Sequence, residues 1–96
     1  MGKNPSMIFK DLCRSARENY RAYRKGETTG IEEEIYNLTV RDGCFYVTYS
    51  EAIRRFLMEG YSEQKANKHI SQWATYDLVC AVRHQGYKLL ALSEVL

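Results

Sequence analysis

Residues 62–92 change their hydrophobic period partway along, and that change limits the folds open to the chain. From Ser62 onward, Ala66, Ile70 and Trp73 fall three to four residues apart, the repeat of one helix face. From Leu78 the pattern becomes alternation, "LVCAVRHQGYKLLAL", on both sides of Gln85-Gly86, as in a two-stranded hairpin. Leu78, Cys80 and Val82 are expected on one side of that hairpin, with Tyr87, Leu89 and Ala91 continuing the buried face on the return strand. Upstream, "SEAIRRFLMEG" reads as a helix with Ala52, Ile53, Phe56 and Leu57 inward, capped by Thr48 or Ser50 and ended by Gly60. Ser62 caps the helix that follows. The segment is thus helix, tight turn, helix, hairpin.

The region before it holds one ambiguity. "CFYVTY" is β-branched and aromatic and reads as a short strand. In "IEEEIYNLTVRDG", Ile31, Ile35 and Leu38 have helical spacing, and three glutamates sit in the first turn, where the helix dipole favours them. Alternation around Asp42-Gly43 would instead make a hairpin with the strand. We expect a helix over about 30–40, with the strand reading left open. At the N-terminus, Phe9, Leu12, Cys13, Ala16, Tyr20 and Tyr23 mark one apolar helix stripe, with Pro5 in the first turn. Gly26, Thr28, Thr29 and Gly30 end it. The expected division is 1–28, a basic helix and linker, and 29–96, the main domain.

A chain of 96 residues is one modest core's worth of protein. It has no apolar run of the ~18–20 residues that cross a bilayer, so no membrane partner is expected. Cys13, Cys44 and Cys80 are odd in number and widely spaced. They read as reduced, small buried hydrophobes in a cytoplasmic protein. No pair of cysteines or histidines has metal-ligand spacing, so neither metal nor cofactor is expected. No phosphate-binding loop, HExxH or nucleophile–histidine–acid pattern is present, and no enzymatic activity is expected.

The order helix, strand, helix, turn, helix, hairpin resembles the winged helix-turn-helix superfamily, best over residues 44–93. "SEQKANKHISQW" resembles its recognition helix (62–76), "YDLV" its junction with the first wing strand, and "RHQG" the tip of the wing (78–92). The family often carries glycine at that junction; here Asp77 stands, which enters the left-handed conformation less readily. The resemblance implies an α+β, mainly α fold, a winged helix-turn-helix with an additional N-terminal basic amphipathic helix. It also implies a small bacterial, plasmid or phage regulator of transcription, nucleoid-associated in the cytoplasm, whose partner is double-stranded DNA.

The residue chemistry stands beside that implication. Gln64, Lys65, Asn67, Lys68 and Gln72 present amides and amines that pair with base edges and phosphates in a major groove. Gln64, Lys68 and Gln72 lie four apart, in one row. A solvated helix face has the same composition. Arg83, His84 and Lys88 around the hairpin turn are expected to clamp flanking phosphates, or else to keep an edge hairpin soluble.

The net charge of +2 hides an uneven distribution: residues 1–25 hold seven Lys/Arg against two Asp/Glu. Lys10, Arg14, Arg17, Arg21 and Arg24 form a helical ridge suited to backbone or partner contacts. The tyrosine stripe beside it is expected to cover the core or to form a homodimer. The alternative to DNA reading is a protein-interaction module of a phage or mobile element that binds host machinery.

Overall fold

The computed structural model describes residues 2–24 and 30–95. Among these residues the fold is α+β, mainly helical, with four helices and one three-stranded antiparallel sheet. In chain order these are α1 (Pro5–Arg24), α2 (Ile31–Asp42), β1 (Cys44–Thr48), α3 (Tyr49–Met58), α4 (Glu63–Thr75), β2 (Val79–His84) and β3 (Tyr87–Val95). β3 lies in the middle of the sheet, with β1 and β2 on its flanks. Gly26, Thr28 and Thr29, expected to end the first helix, lie outside the described residues.

Residues 31–42 are helical, and Asp42-Gly43 is a helix end rather than a hairpin turn. Gly43 takes φ 75° and donates its N–H to the Thr39 carbonyl at 2.9 Å. The left-handed residue stops α2 and starts β1.

The helix pair α3–α4 is held by its own ends. Thr48, not Ser50, caps α3, accepting from Glu51 N at 3.1 Å. Gly60 (φ 90°) donates to Leu57 O, and Tyr61 donates to Phe56 O, closing the last turn of α3. The same two bonds end α4: Asp77 N to Ala74 O at 3.1 Å and Leu78 N to Trp73 O at 2.9 Å. Both are Schellman closures, with an apolar residue past the end packed on the helix's last turn. Asp77 takes the left-handed conformation at φ 60°. At the hairpin tip Gln85 (φ 51°) and Gly86 (φ 83°) both lie left-handed between paired His84 and Tyr87, the signature of a two-residue type I′ turn.

The main core joins α1, α3, α4 and one face of the sheet. Ile8, Leu12, Phe56, Ala66, Ile70, Trp73, Phe45, Val47, Val79, Leu90 and Leu92 are buried together in it. Phe56 is its hub: the rings of Tyr61, His69 and Trp73 lie 5.1, 5.7 and 5.2 Å from it, centroid to centroid. The other sheet face is not solvent. α2 covers it, with Leu38, Tyr46 and Leu89 buried and Ile35, Val82 and Ala91 packed around them.

This second layer corrects the expected hairpin. Leu89 and Leu90 are adjacent on β3 and both fully buried, so that strand has no solvent face. Val79 rather than Cys80 is buried on β2. Cys80 is exposed, opposite Ala91, at the sheet's edge strand, and Tyr87 is exposed beside the turn. Leu57, expected inward, is also exposed. An edge strand and a helix flank each offer fewer neighbours than local periodicity supposes.

Candidate functional site

α4 turns its apolar edge inward and leaves its polar face open. Ser62 Oγ accepts from Lys65 N at 3.2 Å, and Glu63 sits in the first turn, so the helix starts where its cap dictates. Ala66, Ile70 and Trp73 fill the core side. Gln64, Lys65, Lys68 and Gln72 are exposed. Gln64, Lys68 and Gln72 form a row about 12 Å long at ~1.5 Å per residue. Lys65 and Lys68 make no side-chain ion pair among the described residues.

Asn67 is placed differently. It is half-buried, and its Oδ1 accepts from the Tyr49 hydroxyl, tying α4 to the start of α3. His69 is half-buried against Phe56 and Tyr61, with Nδ1 3.3 Å from Gln72 Oε1. It therefore packs beside the core through Phe56 and Tyr61.

The hairpin residues divide three ways. Arg83 is exposed at the edge, opposite Lys88 across the ladder. Lys88 Nζ lies over the Tyr49 ring, 4.1 Å from its centroid, so the cation sits above the α3–α4 side. His84 Nε2 lies 3.1 Å from Glu34 Oε2 on α2. The tip is thus fastened to the second layer, and only Arg83 of the three has no such contact among the described residues.

Along α1 the ridge is partly neutralised. Arg14 Nη2 pairs with Asp11 at 2.7 Å, and Lys3 Nζ reaches the same carboxylate at 2.5 Å. The Lys3 hydrogen bond holds the Asp11 carboxyl below its usual range even though partial burial opposes this. Lys10 and Arg21 are exposed, and Arg17 is half-buried with a protein contact of its own. The side chain of Arg24 lies outside the described residues. The tyrosine stripe is used within the chain. Tyr20 stacks on Tyr36 of α2 at 4.9 Å and 19°, and Tyr23 meets the same ring at 4.4 Å.

A cleft that no local pattern announced opens between α1, α2, β1 and α3, with a volume of about 340 Å³. Glu51 organises one wall. It accepts from Arg54 Nη2 at 2.6 Å and from Arg55 Nε at 2.8 Å, and Arg55 Nη2 reaches Ser15 Oγ at 2.5 Å. Burial pushes the Glu51 carboxyl upward, and the two guanidiniums outweigh it, holding the group below its usual range. The "RR" pair was visible in the sequence; its destination depended on how α3 docks. Among the described residues no cluster of His, Cys, Asp and Glu is arranged to hold a metal ion.

No protein-family model matches the chain, and no solved structure matches it. The chain is 32% identical, over 92 residues, to the large ribosomal subunit protein mL101 (rPPR4) of Arabidopsis thaliana. The alignment takes in 94% of this chain and 16% of that protein, so the chain spans about one sixth of the curated relative's length.

That similarity overturns three expectations. A ribosomal relative does not fit a bacterial or phage regulator of transcription that reads double-stranded DNA. Nor does it fit a phage or mobile-element module aimed at host machinery, or a homodimer formed to match paired DNA half-sites. The physical reason is that amides and amines on a helix suit any phosphate-rich or base-bearing surface, so the α4 face alone does not discriminate among them. The tyrosines assigned to a dimer find their partner in Tyr36 of the same chain.

Proposed function

We propose that this chain is an RNA-binding segment of a ribosome-associated protein, and that α4 is its principal contact surface. The observation that carries the reading is the similarity to a large ribosomal subunit protein along nearly the whole chain. The exposed Gln64, Lys65, Lys68 and Gln72 supply a surface of matching chemistry. The same segment is proposed to be a winged-helix variant, supported by the α3–α4 turn, the following hairpin and the β1-β3-β2 strand order. In this variant α1 stands beside α3 and α4, and α2 backs the wing.

The groove geometry of RNA determines how α4 acts. An A-form helix has a deep, narrow major groove that side chains do not read, and a wide, shallow minor groove lined with 2′-hydroxyls. α4 therefore lies across the backbone rather than inside a groove. Lys65 and Lys68 reach phosphates, while Gln64 and Gln72 bond 2′-hydroxyls or the bases of loops. Lys10, Arg21 and Arg83 add attraction without sequence preference.

The test is binding of large-subunit ribosomal RNA fragments at two salt concentrations, with duplex DNA of the same sequence alongside. RNA is expected to bind more tightly, with affinity falling as salt rises. Replacing Lys65 and Lys68 with Glu is expected to weaken RNA binding and to flatten the log–log salt slope by about 0.7 per lost phosphate contact. Equal affinity for duplex DNA, or binding indifferent to salt, would reject the reading.

A further inference from the structure

We infer that the cleft between α1, α2, β1 and α3 holds a single unstacked nucleotide. This rests on the RNA reading for its biological source, while its chemistry stands on the cleft itself.

The floor carries the first observation. Thr39 is the one buried polar residue among those described, at 1% exposure, and it lines the cleft. Its hydroxyl bonds no other described residue, while its carbonyl accepts from the Gly43 N–H. Buried hydroxyls are nearly always paired, so one without a protein partner, on a residue that lines a cavity, is a candidate contact for a bound group.

The walls say what that partner is attached to. Tyr20 and Tyr36, stacked on one another with Tyr23 against Tyr36, line the α1–α2 side as an aromatic cluster. An unstacked base can pack edge-to-face against such rings. On the α3 wall, Arg54 and Arg55 share the single carboxylate of Glu51. Two guanidiniums against one carboxylate leave a positive charge there, and the Arg54 side chain is 54% exposed, able to turn to a phosphate. Glu32, exposed on the α2 side, can accept from the exocyclic amine of a base. The cleft is therefore polarised: phosphate toward α3, base toward α2, with Thr39 beneath. Its volume of about 340 Å³ lies within the range of roughly 300–1,000 Å³ usual for small-ligand sites, and suits one nucleotide rather than a duplex.

The experiment is an NMR titration of the whole chain with adenosine and cytidine 5′-monophosphate, inorganic phosphate, and single-stranded and duplex RNA of one sequence. Mononucleotides and single-stranded RNA are expected to shift the Tyr36, Thr39 and Arg54 amides, and inorganic phosphate to shift them far less. Thr39→Val conserves shape and removes an unpaired hydroxyl, so the variant should fold at least as stably as the parent. It should nonetheless bind mononucleotides about five-fold or more weakly, the value of one hydrogen bond. Arg54→Gln should do the same, leaving Glu51 paired with Arg55.

RNA binding at α4 with a silent cleft, or a Thr39→Val variant that binds mononucleotides like the parent, would overturn the site and leave the RNA reading standing. Shifts at Thr39 with mononucleotides, in a protein that binds no RNA at all, would keep the site and remove that reading. Phosphate alone matching the nucleotides would overturn the base-contact half of the proposal and with it the site.

Discussion

The imidazole of His84, at the tip of the hairpin, meets the carboxylate of Glu34 on α2, with Nε2 and Oε2 3.1 Å apart. The two residues are 50 apart in the chain, and their contact makes the hairpin part of the second layer. Replacing Glu34 with Ala should leave overall stability within about 1 kcal/mol, as partly exposed pairs contribute little. It should, however, speed amide hydrogen exchange at Gln85, Gly86 and Tyr87. Unchanged exchange at the tip would mean that the type I′ turn holds itself.

Phe56 should be the costliest single truncation. It is fully buried and touches three rings, so Phe56→Ala leaves a cavity between α3 and α4. The expected loss is about 3–5 kcal/mol in chemical denaturation. A loss under about 1 kcal/mol would show that α3 and α4 do not share a single packed core.

Acid should weaken the fold in a defined window. Hydrogen bonds from Arg41, and then from the Tyr46 hydroxyl, lower the Asp42 carboxyl from 3.8 to about 2. The folded value is depressed, so the stabilisation is present above the unfolded value and is lost as pH falls through the folded one. Denaturation midpoints should therefore decline between roughly pH 4 and pH 2. Asp11 and Glu51, also lowered, contribute in the same direction. Asp42→Asn should make that decline shallower; an identical profile would place the acid sensitivity elsewhere.

Gly2 should not tolerate a side chain. A Cβ there would lie 2.2 Å from the Glu59 carbonyl oxygen. The segment is pinned by Lys3 N to Glu59 Oε1 at 2.8 Å and by the Tyr61 hydroxyl to Lys3 O at 2.9 Å. Gly2→Ala should release it, read as faster exchange at the Lys3 amide. Because Gly2 lines the same depression as Lys65, Lys68 and His69, the resonances of those residues should shift as well. Protection at Lys3 equal to the parent's would show that the backbone absorbs the methyl group.

Much of the architecture was legible locally. Ser62 as cap, Ala66, Ile70 and Trp73 as a buried edge, and Gln85-Gly86 as a hairpin turn all follow from rules that act over a few residues. Capping, helical period and φ preference are properties of neighbouring positions, and the exposed amide-and-amine face of α4 follows from them by subtraction. The choice of helix for 31–42 also had local support in its three leading glutamates. The nature of the surface that α4 meets did not, since Gln, Lys and Asn serve DNA, RNA and plain water alike.

What the sequence by itself determined is the set of elements and the inward edge of most of them, because period and punctuation are written residue by residue. Only the tertiary structure decided that α2 backs the sheet, so that Leu89 and Leu90 are both buried while Cys80 is left at an edge. It alone brought Thr39, Tyr36, Arg54 and Glu51 to one cleft. Those outcomes depend on which helix docks on which face, and that is settled by the summed burial of distant side chains, a quantity that no short stretch of sequence contains.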